Sequence, residues 1–95
     1  MGRNTKVIVI HEKDNVATAL AQLNADTEIS VGVQGRTDKI KLLSDIPMGH
    51  KFALKDMKKG DAVIKYGEPI GQSTMEIFRG EHVHVHNVVS QQRGG

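Results

Sequence analysis

The chain has 95 residues, 38% of them hydrophobic, and its aromatics are Phe52, Tyr66 and Phe78 alone. That supports one small domain and excludes two, and it disfavours a self-sufficient enzyme with a deep pocket, because pocket lining would be taken from a core already short of apolar residues. Thirteen basic against eleven acidic residues leave a formal charge of +2 without a basic arm, and the absence of cysteine excludes disulfides, thiolate zinc sites and cysteine nucleophiles together.

Residues 6–10 (KVIVI) are β-branched without polar alternation, the pattern of a strand buried on both faces. From Asp14 the period changes: Val16, Ala19, Leu20 and Leu23 fall at i, i+3, i+4 and i+7, which predicts a helix of about two and a half turns capped by Asp14. Residues 24–27 end it, and residues 28–33 (EISVGV) return to β character before a turn at Gly35. A further strand is expected at 39–43, an irregular loop around Pro47 and Gly49, and one helical turn at 54–57. After a turn at 58–61 comes a strand at 62–66, ended by Gly67 and Pro69. Residues 82–88 alternate His82, His84 and His86 with Val83, Val85 and Asn87, which predicts a strand with the three imidazoles on one face and Val83 and Val85 in the core. The expected architecture is mainly β with one short helix and no internal repeat.

The longest purely apolar run, residues 7–10, is far short of the roughly 20 residues that span a bilayer, and no signal-peptide core follows Met1, so a cytoplasmic protein that binds neither membrane nor nucleic acid is expected. Aromatic platforms for stacking bases are nearly absent. No GxSxG, phosphate loop or HExxH occurs, which favours binding over self-contained catalysis.

Imidazole is the commonest protein ligand for divalent transition metals, which makes His82, His84 and His86 the foremost chemical signal. Along a strand, neighbouring members of this set lie about 6.6 Å apart and the outer two about 13 Å, so a pair plus an outside ligand is expected. His84 and His86 are the preferred pair, next to Asn87, with His50 or His11 completing the site. Asp14 and Asn15 read first as a helix cap and second as anion ligands at a helix N-terminus. Lys51, Lys55 and Lys65 read as solvated lysines that can meet a carboxylate.

Three blocks, IHEKDNVATAL, IPMGHKFALKDMKKGDAVIKYGEPIG and GEHVHVHN, resemble the altronate dehydratase family from about residue 6 to residue 88. The resemblance implies a SAF-type β-clip domain over 6–88 flanked by flexible tails at 1–5 and 89–95. It also implies a hydro-lyase that removes a proton α to the carboxylate of a sugar acid and expels the β-hydroxyl as water. The chain looks like the family's small subunit, working with a separate large catalytic subunit and inactive alone, with self-association into a homo-oligomer as a further expectation. The mapped blocks place His50 and Lys51 as catalytic residues, His11, Asp14 and Asn15 as substrate-binding residues, and His82, His84 and His86 at a divalent metal, Fe²⁺ or Mn²⁺, bound in the assembled complex. The same blocks resemble the small subunit of (2R)-sulfolactate sulfo-lyase, and a non-catalytic sugar-acid-binding or assembly module is the alternative from another class.

Overall fold

A computed structural model describes residues 6–9, 11–33 and 35–90. They form nine strands and no helix: β1 (Val7–Ile8), β2 (Val16–Ala19), β3 (Glu28–Val33), β4 (Arg36–Lys41), β5 (Lys51–Ala53), β6 (Ala62–Lys65), β7 (Glu68–Ser73), β8 (His82–Val83) and β9 (Val88–Ser90). The sheets run β1-β2-β5-β8, β3-β4 and β6-β7-β9, and every named strand pair is antiparallel.

The four-stranded sheet is the floor of two cores. One face carries Val7, Ala17, Ala19 and Phe52, which pack with Ile29, Val31, Ile40 and Leu42 of the β3–β4 side. The other carries Val16, Ala53 and Val83, which pack with Met57, Val63 and Ile77. The register enforces this division, because directly opposed residues share a face: Val7 faces Ala19 and Ala17 faces Phe52 toward the first core, while Val16 faces Ala53 toward the second.

This division overturns the helix expected from Asp14 to Leu23. Val16, Ala17 and Ala19 are buried because β2 is covered on both faces, whereas Leu20, placed on the expected apolar stripe, is exposed. A short apolar run buried on both sides imitates helical periodicity, and the neighbours on each face decide the outcome. Asp14 is therefore no helix cap. The expected helical turn at 54–57 is likewise an irregular segment with a single bridge at Met57.

A recurring clip, absent from the sequence expectation, organises the chain. Leu23 bridges Ile46, and Met57 bridges Ile77. Three residues beyond each bridge residue stands a left-handed position: Asp26 at φ 68°, Gly49 at 87°, Gly60 at 93° and Gly80 at 87°. The N–H groups of those four residues donate to the carbonyls of Leu42, Ala19, Ser73 and Ala53, the residues four before the partner's bridge position. Six residues beyond each bridge residue lies a core side chain: Ile29, Phe52, Val63 and Val83. Two carboxylates brace the clips, Asp45 accepting from Ala25 N–H and Asp56 from Arg79 N–H, each at 2.8 Å. Three determining positions in about ten leave too faint a mark to be read as a repeat.

Other boundaries follow local chemistry. Gly67 and Pro69 do not stop the chain but form a hairpin, with Tyr66 and Gly67 both at positive φ (59° and 74°), the backbone of a type I′ turn, and Pro69 sits next to a register shift at Val63/Ile64. The expected strand at 82–88 is broken. After Val83 the chain turns through 84–87, and Val85 is 82% exposed where the alternation placed it in the core. Strand β9 then runs past the domain limit expected at residue 88, while the expected tail residues 1–5 and 91–95 and the end of the first expected strand at Ile10 lie outside the described residues.

Candidate metal centre

Strand pairing builds the site from two distant pieces of chain. In the β5–β8 ladder Phe52 faces His82 and Lys51 faces Val83, so one step further the register brings His50 opposite His84. Side-chain alternation then puts His50, Phe52, His82 and His84 on the same side. The rings stack accordingly: His50 and His84 are parallel within 15° with centroids 4.0 Å apart, and His50 and His82 within 17° at 5.1 Å. Nδ1 of His50 and Nε2 of His82 share a hydrogen bond of 2.8 Å. One ring nitrogen from each of His50, His82 and His84 falls within 4.8 Å of the others.

The turn after His84 depends on Asn87, which is fully buried. Its Oδ1 accepts from His84 N–H at 3.0 Å and its Nδ2 donates to the His82 carbonyl at 2.9 Å. The Asn87 amide thus orders the backbone that carries both histidines, its hydrogen bonds going to main-chain groups. His86 stands in this turn, exposed, with its ring 5.1 Å from that of His82 and outside the convergent set. The preference for His84 with His86 assumed a continuous strand. The turn instead leaves His82, His84 and His50 together.

Burial and neighbouring positive charge disfavour protonation of His82 and His84. His82 is held below the ordinary histidine value by burial first, then by the charges of His86, His50, His84 and Lys51. His84 is lowered by lost hydration, then by His50, Lys51 and His86. Neutral imidazole is the form that can ligate a metal, and the lowered values of His82 and His84 favour that form.

Lys51 occupies the other face of β5. It is opposite Thr18 of β2, and burial followed by the charge of Lys65 pushes its ammonium below the usual lysine value. His11, Asp14 and Asn15 are also apart from the imidazole cluster. The Asp14 carboxylate accepts from His11 N–H at 3.1 Å and from Gly67 N–H at 2.8 Å. Asn15 donates to the Ala62 carbonyl and accepts from Ile64 N–H, at 2.9 and 2.8 Å. These bonds staple the β1–β2 connection to the β6–β7 hairpin. The His11 ring accepts from Lys13 N–H and packs on Gly67, where a Cβ would come within 2.9 Å of it. Asp14 also lines a cleft of about 240 Å³ with Glu12, Asp38, Lys55 and Arg79 over Val31 and Ile40. Sequence reasoning missed Asn87 as the organiser of the turn, although asparagine after a strand is a recognisable turn signal.

Comparison with known proteins agrees with this architecture. Residues 5–91 match the family described as the altronate/galactarate dehydratase SAF domain. The chain is 52% identical over 80 residues to altronate dehydratase of Escherichia coli (strain K12) and 42% identical over 81 residues to altronate dehydratase of Bacillus subtilis (strain 168), each match covering 84% of this chain and 15% of the relative. It is 57% identical over 44 residues to the (2R)-sulfolactate sulfo-lyase subunit alpha of Paracoccus pantotrophus, covering 46% of this chain and 66% of that one. The chain thus corresponds to a small part of the dehydratases and to most of the length of a lyase subunit.

Proposed function

Because the chain belongs to the altronate/galactarate dehydratase SAF-domain family, we propose that it is the SAF component of a lyase acting on sugar acids, contributing an imidazole cluster to an active site completed by a large catalytic polypeptide. The observation that carries this reading is the convergence of His50, His82 and His84 within 4.8 Å from strands more than thirty residues apart in sequence. A merely solvated polar edge has no need of three stacked rings.

The donor set fits a divalent first-row ion, since imidazoles suit iron, zinc, copper or nickel, and it leaves coordination positions for the carboxylate or water that manganese prefers. Fe²⁺, with Mn²⁺ as the alternative, is the proposed ion, and when bound it would supply Lewis-acid polarisation of the substrate carboxylate or departing hydroxyl. The His50–His82 hydrogen bond would be given up on loading, its proton moving to the other nitrogen of the same ring so that each imidazole ligates in its neutral form. In the elimination, the Cα–H bond breaks, its electron pair forms the new C=C bond, and the β-hydroxyl leaves as water after taking a proton. With His50 held as a ligand, the base that takes the Cα proton is assigned to the large polypeptide, and the Lys51 ammonium adds positive charge that His82 and His84 already feel. His11, Asp14 and Asn15 are proposed to approach the substrate only through the backbone they brace.

The match to a sulfo-lyase subunit alpha supports a role as a small subunit beside a large catalytic polypeptide. Elimination of sulfite from a 2-hydroxy acid is the second reading, chemically parallel in its carbanion-like transition state. The test is reconstitution with a candidate large polypeptide and assay on altronate, galactarate and sulfolactate. His84→Ala is expected to lower turnover by about a hundredfold or more with assembly and fold intact. Unchanged turnover and unchanged metal content would leave this chain an assembly module.

A further inference from the structure

Each of the four clips closes the same turn. The N–H four residues beyond the bridge residue donates to the carbonyl one residue beyond it: Thr27 to Asn24 at 3.3 Å, His50 to Pro47 at 3.0 Å, and Asp61 to Lys58 and Glu81 to Phe78 at 2.9 Å. With the left-handed residue third of the four, this is a type II turn. Proline is favoured at the second position of such a turn, but Pro47 occupies the first, where Asn24, Lys58 and Phe78 serve the other three clips. The bridge does not call for it either, since Leu23, Met57 and Ile77 hold their bridges with no proline after them.

What the first position supplies in two of the other turns is a donor. Lys58 N–H donates to the Asp61 carboxylate at 2.8 Å and Phe78 N–H to the Glu81 carboxylate at 2.9 Å, so the side chain at the fourth position is folded back onto the first. In the turn of residues 47–50 the fourth residue is His50, and Pro47 has no N–H to offer it. An imidazole in this chain accepts such a donor where one is near: Nδ1 of His11 takes the N–H of Lys13 at 3.0 Å. Nδ1 of His50 instead pairs with Nε2 of His82 at 2.8 Å. A ring nitrogen carries either one proton or one lone pair, so a bond from the turn and the bond to His82 exclude each other. We propose that Pro47 is a positioning residue for the imidazole cluster: by withholding the N–H that would fold His50 back onto its own turn, it leaves Nδ1 of His50 to His82 and the ring to stack on His84. The inference deepens the reading of the cluster as a metal centre and rests on it for the consequence in metal binding, while the ring geometry is measured without metal.

The experiment is ¹⁵N NMR of the histidine rings in the full metal-free chain at about pH 8, well above the ordinary histidine value, comparing wild type with Pro47→Ala. Wild type is expected to show a ¹⁵N–¹⁵N coupling across the His50–His82 hydrogen bond. In Pro47→Ala that coupling is expected to be lost, and the new amide at position 47 to exchange at least about tenfold more slowly than an unprotected one, because it now donates to His50. Pro47→Lys, which installs the residue standing at the same place in the Met57 clip, provides the test if Pro47→Ala does not fold. Pro69→Ala, at the β6–β7 hairpin, is expected to leave the ring coupling as it is. Zn²⁺ affinity, read by calorimetry, is expected to fall about tenfold in Pro47→Ala, the lower end of what loss of an orienting partner costs a metal site. Failure of the wild type to take up Zn²⁺ would count against the metal reading and leave the ring geometry to decide this one. A His50–His82 coupling retained in both position-47 variants, with the new amide exchanging freely, would overturn the proposal even if the thermal midpoint fell, because that is the signature of a proline that only stiffens the turn.

Discussion

His50 stacks on His84 because the ladder that pairs Lys51 with Val83 leaves no other place for it, and this has a consequence for stability. His82 and His84 resist protonation in the folded chain, whereas in the unfolded chain each takes up a proton near the ordinary value of about 6.5. As pH falls through that value toward the lower folded ones, the unfolded state binds more protons, so stability falls with falling pH and the loss ends once the folded cluster is itself protonated. The metal-free chain is expected to show a falling thermal midpoint between about pH 7 and pH 5, and His82→Asn combined with His84→Asn is expected to flatten that part of the curve. Scanning calorimetry across this range checks it. A wild-type midpoint that holds or rises on acidification would contradict the sign.

At the scale of the element, the clip explains which glycines are needed and how badly. Gly60 and Gly80 occupy equivalent left-handed positions, with φ of 93° and 87°. A Cβ on Gly60 meets open space, whereas one on Gly80 would run into the backbone carbonyl of Lys41, at the end of the β3–β4 ribbon. Gly60→Ala is expected to cost only the left-handed backbone penalty, about 1–2 kcal/mol. Gly80→Ala adds overpacking of about 1–3 kcal/mol, because the obstacle is main chain that itself belongs to a strand. Urea unfolding of the two variants checks the order, and equal midpoints would show that the approach of Gly80 to Lys41 is not a constraint. Gly80 also donates to the Ala53 carbonyl, so the strain falls on the start of the segment that carries His82.

For the whole molecule the controlling fact is that β2 and β5 floor both cores. Phe52 fills the first core while its neighbour Ala53 faces the second, and both are completely buried. Removing the Phe52 ring should cost about 3–5 kcal/mol, a large share of the roughly 5–15 kcal/mol typical of a domain. Because the same strands serve both sides, the loss cannot stay on one side. Phe52→Ala is expected to accelerate amide hydrogen exchange at Val63 and Ile77 in the second core by about the same factor as at Ile40 in the first. Exchange accelerated in the first core alone would mean that the two cores open independently.

The sequence by itself determined the β-rich class, the limits of β3, the shared orientation of His82 and His84, and, through its three blocks, the family. These are local or nearly local properties: alternation fixes a face, β-branched runs fix an extended backbone, and ordered motifs identify relatives. What only the tertiary structure decided is non-local. The stripe from Val16 to Leu23 reads as a helix until one sees that β2 is covered on both faces. That His50 rather than His11 stands beside His82 and His84 required the β5–β8 register, which joins residues 32 apart. That His86 stands outside the convergent rings required the turn that Asn87 closes. Periodicity specifies which way a side chain points from its own strand, but the neighbour it meets is set by pairing across the chain, and that pairing is selected by the burial of both cores at once.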